Sequence, residues 1–288
     1  MDLGTFVYQL LIEPVSLPLM QRAMLAVVVI GAISGVMGAF VVTRGMAFLG
    51  DALAHTILPG VAIAYLTTGG SPGAVFIGGL AGGVVSGLVI GLLTRGGRLR
   101  EDTAIGVVFA GALALGIAII SRAQNYSTDL SHILIGNVLA INTDELIGIA
   151  AVAAVVLIVI VVLYKELLIV SFDTTLAQTL RLPGEVLRIG LLVLLALTVV
   201  ISLQAVGVAM VAALLVTPAA TARFFVRRMH HLMIGAALIG AFGSVVGLYV
   251  TWHLRIAPSA GIVLTLTALF IVAFVRDRLR HRVRSQPT

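Results

Sequence analysis

Hydrophobic residues run along this chain in long unbroken blocks, and nearly all polar residues are pushed into the gaps between them. Apolar windows fall at about 22–42, 46–66, 72–94, 103–121, 145–164, 186–205, 207–226, 232–252 and 258–275. Each approaches the roughly 20 residues that carry a helix across a bilayer. The pattern predicts an all-α polytopic membrane protein, a bundle of eight to nine transmembrane helices. The two windows that meet at Leu203-Gln204-Ala205-Val206-Gly207 have almost no loop between them, and this sets the range of the count.

The segments between the windows complete the outline of a single transmembrane domain over 1–288. Residues 1–20 place Leu3, Phe6, Val7, Leu10 and Leu11 at helical spacing before Pro14 and Pro18 interrupt, which predicts a short interfacial helix. The loop 122–144 contains a mixed stretch, Asp129 to Ala140, with too few apolar residues to span; it predicts a short re-entrant or interfacial helix, with His132 a solvated histidine. In the loop 165–185, Asp173 stands where a helix N-cap belongs, following Phe172 and preceding Thr174, Leu176, Ala177 and Leu180. Arg181-Leu182-Pro183-Gly184 then stops this helix. A short amphipathic helix between two spans either docks into a groove on another protein or packs on its own bundle.

Composition agrees with the pattern: 60% of the 288 residues are hydrophobic and 10% charged, which excludes a soluble globular domain. The opening residues carry Asp2 and Glu13 and no basic region, so no cleavable signal peptide is expected. The net charge of +6 does not indicate nucleic acid, because the basic residues are scattered through short loops and the tail 276–288. They set topology instead. With the C-terminus in the cytoplasm, nine crossings leave only Arg22, Arg122 and Arg255 of the 18 positive residues outside. Small-residue stripes, Gly79/Gly83/Gly87/Gly91, Gly31/Gly35 and Gly243/Gly247, predict close helix packing.

Chemistry concentrates in the second window. From Met46 to Leu66 the only side chains able to carry charge are Asp51 and His55, four residues apart and on one helical face. An ionisable group at membrane depth costs about 2.5 kcal/mol or more, so the pair has either a shared ligand or a structural hydrogen bond between helices to offset that cost. Carboxylate oxygen and imidazole nitrogen together suit a divalent ion such as manganese or zinc. Pro59 cannot donate to the carbonyl of His55, which frees a further oxygen in the pathway. The absence of cysteine excludes thiolate sites and disfavours Cu(I). Lys165, the one lysine, follows Tyr164, so no phosphate-binding loop is present, and any ATP that drives transport is hydrolysed on another chain. An intramembrane hydrolase would need His-Glu-x-x-His or Gly-x-Ser-x-Gly, and neither occurs.

The stretch from Arg44 to Ala62, the Leu134-Ile135-Gly136-Asn137 turn, the Phe172-Asp173 segment and Leu215 to Ala222 closely resemble the permease subunits of bacterial ATP-binding-cassette importers for manganese, zinc and iron. The resemblance implies a transport subunit rather than an enzyme, in the bacterial plasma membrane, with no permanently bound cofactor and a transported divalent ion (manganese, zinc or ferrous iron) as cargo. It implies three protein partners: a second copy of the chain, a dimer of cytoplasmic ATPases and an extracytoplasmic metal-binding protein. Asp51 and His55 become pathway residues at the dimer axis, and Phe172, Asp173, Thr174, Leu176, Ala177 and Leu180 become the ATPase coupling contact. Arg181 stands where such permeases often carry glycine. A proton-coupled secondary carrier for divalent metal, working through the same Asp/His pair, is the rival reading; it would need no docking helix.

Overall fold

The computed structural model describes residues 16–97, 99–122 and 138–284. The expected N-terminal interfacial helix, apart from residues 16–20, and most of the outer-loop helix with His132 lie outside the described residues. In chain order the helices are α1 (Pro18–Thr43), α2 (Leu49–Thr56), α3 (Leu58–Thr68), α4 (Pro72–Leu93), α5 (Glu101–Ile120), α6 (Thr143–Val162), α7 (Tyr164–Phe172), α8 (Thr174–Thr179), α9 (Gly184–Val206), α10 (Val208–Arg223), α11 (Met229–Leu254) and α12 (Pro258–Arg284). Among the described residues eight segments, with α2 and α3 joined as one, are long and apolar enough to cross a membrane.

The window at 207–226 became α10, whose 16 residues rise only about 24 Å against a hydrocarbon core of about 30 Å. Two residues shorten it. Gly207 (φ 78°, ψ 166°) sits in a region open essentially to glycine and separates α10 from α9, and Pro218 removes a donor inside α10.

The helices gather into two compact units interleaved along the chain, one from the residues up to Val42, Asn137–Ala150 and Ala213 onward, the other from Thr43–Gly136 and Ala151–Ala212. No single cut in the sequence separates them.

In the first unit, glycines bring backbones together, as lipid gives helices no hydrophobic reason to associate. A Cβ added at Gly31 would lie 2.6 Å from the Gly240 carbonyl oxygen, and one at Gly35 would strike the Ala236 carbonyl, so α1 and α11 meet main chain to main chain. The Gly243/Gly247 face of α11 instead takes Leu266 and Ile262 of α12. α6 opens with a capping box, Asn142 Oδ1 accepting from the Glu145 amide (2.8 Å) and Glu145 Oε2 from the Asn142 amide (3.0 Å).

The second unit is built on α4. Its Gly83, Gly87 and Gly91 lie against Val200, Leu192 and Ile189 of α9, while Gly78 and Gly82 admit Gly60 of α3. At one end Arg188 of α9 staples three helices. It donates to Thr94 Oγ1 (2.8 Å), the Gly91 carbonyl (3.2 Å), Glu101 (3.4 Å) and Glu185 (3.0 Å). Arg44 shares the field of Glu101 but leaves Nη1 buried and without a partner among the described residues. Burial pushes its guanidinium below the usual range, Glu101 opposes that shift and Arg188 adds to it.

Candidate metal pathway

The segment that carries the acid and the imidazole bends in its middle. α2 ends at Thr56, Ile57 stays right-handed (φ −77°, ψ −16°), and α3 begins with Pro59 in its first turn, where a missing N–H costs nothing. The His55 carbonyl does lose its helical donor to Pro59, but it is not left free: the Ile57 N–H is directed at it instead. Next to it, the Thr56 carbonyl accepts from Ser86 Oγ of α4 at 3.1 Å. The bend is thus held from outside by a hydroxyl.

α4, α5 and α9 cover most of this segment. Leu49, Leu53, Ala54, Leu58, Val61 and Ala62 are buried. Asp51, His55 and Pro59, at successive steps of four, remain half-exposed between them. Apolar residues on the same face are more open still: Phe48 is 87% exposed, Ile63 52%. A single chain therefore leaves one stripe of this segment uncovered, and the stripe carries both ionisable groups.

Within the stripe the imidazole is oriented on two sides. His55 Nδ1 lies 2.9 Å from the backbone oxygen of Asp51. A carbonyl oxygen can only accept, so Nδ1 carries a proton, and in the neutral imidazole the lone pair is on Nε2. The Phe109 ring of α5 meets the imidazole edge to face, with centroids 5.3 Å apart and planes at 88°. Sequence reasoning missed Phe109, since one aromatic residue in an apolar span carries no signal. No hydrogen bond or ion pair among the described residues engages the Asp51 carboxylate, so the two groups do not pair with each other as an interhelical pin would require. A ligand histidine commonly fixes its second nitrogen on a backbone carbonyl in this way. No group of three or more His, Asp or Glu side chains within reach of one metal ion occurs among the described residues. One chain supplies two donors, whereas a closed divalent site needs about four.

The other expected site takes shape at α8. Asp173 Oδ1 accepts from the Leu176 amide at 2.8 Å, the N-cap the sequence called for. Phe172, Leu176 and Leu180 project outward as an exposed apolar row. Ala177 does not join them; it is 5% exposed and turned inward, so it is unavailable to a partner. The end of α8 is a Schellman turn, with Leu182 N–H to Ala177 O and Arg181 N–H to Gln178 O, both 3.0 Å. Arg181 holds the left-handed position (φ 53°) that glycine usually fills.

Among the described residues, eight bilayer-length helical segments with paired small-residue crossings define a polytopic helical membrane protein. The chain belongs to the ABC 3 transport family, whose sequence profile matches residues 16–277. Its relatives include the manganese transport system membrane protein MntC of Listeria monocytogenes, 40% identical over 89% of this chain and 90% of that protein. The chelated iron transport system membrane protein YfeD of Yersinia pestis is 34% identical over 95% and 90%. Among solved structures, PsaBC from Streptococcus pneumoniae in complex with Fab superposes with a TM-score of 0.79 at 35% identity, covering 91% of this chain and 94% of that one.

Proposed function

We propose that this chain is the membrane-spanning half of an ATP-driven importer that moves a divalent metal ion, Mn²⁺ or Zn²⁺ and by the same chemistry Fe²⁺, into the bacterial cytoplasm. The carrying observation is the uncovered stripe, where His55, its Nδ1 spent on the Asp51 main-chain oxygen, and an unengaged Asp51 carboxylate lie on one helix face. A second copy related by a two-fold axis brings the donors to two carboxylates and two imidazoles. Family membership and relatives named for manganese and iron transport support the reading.

Such a four-donor site must also release its ion, so it forms and opens as the two copies move. A proton competes with the metal for Nε2, and acid opposes transport. ATP hydrolysis belongs to cytoplasmic partner subunits, for which the Phe172/Leu176/Leu180 row, running from the end of α7 past α8, is the contact, with Asp173 and the first residue of α8, Thr174, shaping its start. Ala177 braces the helix from within. An extracytoplasmic protein delivers the metal, and the C-terminus lies in the cytoplasm.

The test is metal uptake by vesicles holding the assembled complex with Asp51→Asn or His55→Ala. Transport falls at least about tenfold in each, while assembly and ATP hydrolysis persist. Near-normal uptake in both removes the site assignment. Undiminished transport by the chain alone, without ATPase subunits, replaces the importer with a proton-coupled carrier.

A further inference from the structure

The end of the first unit where α10, α11 and α12 approach carries a surface that metal transport does not use. Phe224 and Phe225, just beyond α10, lie against the far end of α12. Phe224 is 5.6 Å from Phe270 and 6.0 Å from Phe274, ring centre to ring centre. Arg276 of α12 rests its guanidinium over the Phe225 ring at 5.3 Å, and Arg278 does the same over Phe274 at 5.3 Å. The α10–α11 connection and α12 are thereby fixed together as one face.

That face is basic and greasy at once. Arg223, Arg227, Arg228, Arg276, Arg278 and Arg280 are all exposed. From Arg223 to Arg284 the sequence contains one acidic residue, Asp277. Beside the arginines Phe225 is 50% and Leu279 58% exposed. Topology-setting charge alone would explain arginines waving in water, but not guanidinium groups placed over rings near the end of a spanning helix. The depth also fits. The 18 residues of α12 that precede Arg276 rise about 27 Å, close to the hydrocarbon thickness, so the guanidinium groups reach the level of the lipid headgroups.

We infer that this face, formed by Arg227, Arg228 and Arg276 around Phe225, seats the headgroup of an anionic phospholipid, with acyl chains lying along the exposed side of α12. Guanidinium groups meet a phosphodiester with charge-assisted hydrogen bonds, and the neighbouring apolar residues cover the chains. A soluble anion would satisfy the charge and leave Phe225 and Leu279 in water. An acidic protein partner would satisfy the charge without using the exposed apolar side of α12 that continues from it.

Native mass spectrometry of the purified complex, after exchange into mixed phosphatidylglycerol and phosphatidylcholine, reads the retained lipid directly. Phosphatidylglycerol is retained over phosphatidylcholine, and retention falls about fivefold for each arginine removed in Arg227→Gln and Arg227→Gln/Arg276→Gln, following about 1 kcal/mol per basic residue near the surface. The control, Arg95→Gln/Arg100→Gln, removes the same charge from exposed positions elsewhere and leaves retention unchanged. Melting temperatures in phosphatidylcholine nanodiscs, unaltered in all variants, show that each is folded. Equal losses in control and test variants, equal retention of the two lipids, or full displacement by excess inorganic phosphate would each overturn the inference. So would unchanged lipid retention with lost ATPase binding, which would assign the face to a protein.

Discussion

His55 donates a hydrogen bond from Nδ1–H to the main-chain oxygen of Asp51, 2.9 Å away, and not to the carboxylate of the same residue. The one contact does two things: it fixes the tautomer, and it leaves both side-chain donor groups unspent. An acid and an imidazole one turn apart in a membrane helix would ordinarily satisfy each other. Here the backbone intervenes, and the pair stays available to a third party.

Phe109 governs how well that imidazole is aimed. Its edge-to-face contact with His55 belongs to a class worth about 0.5–1.5 kcal/mol. Phe109→Ala therefore raises the metal concentration for half-maximal uptake about threefold or more and leaves the amount of assembled complex unchanged; uptake titrations in vesicles check it.

Glu101 stands between two guanidinium groups, Arg188 at 3.4 Å and the buried Arg44. Glu101→Gln removes the negative charge that both face and costs about 2 kcal/mol, a discount on the buried-pair figure because Glu101 retains some exposure. Glu185→Gln breaks the closer 3.0 Å pair but at a half-exposed carboxylate, and costs less than about 1 kcal/mol. Melting in detergent orders the two variants, and the reverse order would contradict the assignment.

Gly60 lets the segment that carries Asp51 and His55 touch α4. An added Cβ there would collide with the Gly78 carbonyl oxygen, which is backbone and cannot swing aside. Gly60→Ala lowers stability by about 2 kcal/mol and reduces uptake by displacing the bend at Ile57–Pro59. Gly73→Ala, at the start of α4 with nothing within 4 Å, is neutral or slightly stabilising in the same melts.

Arg181 holds a left-handed conformation at the end of α8. Arg181→Gly relieves about 0.5–1 kcal/mol, the side-chain strain less the entropy glycine loses. Hydrogen exchange at the Arg181 and Leu182 amides slows about threefold. ATP hydrolysis changes little if the exposed row of α8 makes the contact with the partner.

Much of the architecture is visible in the residues because bilayer thickness sets helix length. Each apolar window holds a helix, Asp173 caps α8, and the Gly83/Gly87/Gly91 stripe finds a partner helix. The failures are local and share a cause, which is that a hydrophobic block does not record where its backbone bends. Pro59 signals a break in 46–66, but nothing in the residues shows that it is held by a hydroxyl from Ser86, or that Leu163 (φ −98°, ψ 18°) divides α6 from α7. The resemblance alone puts Ala177 at the coupling contact, and it says nothing of which way each residue turns. In a six-residue helix one residue's rotation decides which side faces out. The tautomer of His55 and the ring of Phe109 depend on distances that no spacing rule encodes.

The crossing of α1 and α11 at Gly31 and Gly240 bears on how this chain can change over time. Two rods of 26 residues each meet there with the Gly31 and Gly240 backbones face to face, so a methyl group at either position strikes a carbonyl that cannot swing aside and pushes the two helices apart. Drift at such a point is closed to single steps. The places least tolerant of replacement in this permease are therefore as much those that hold no side chain at all as those that hold its metal chemistry.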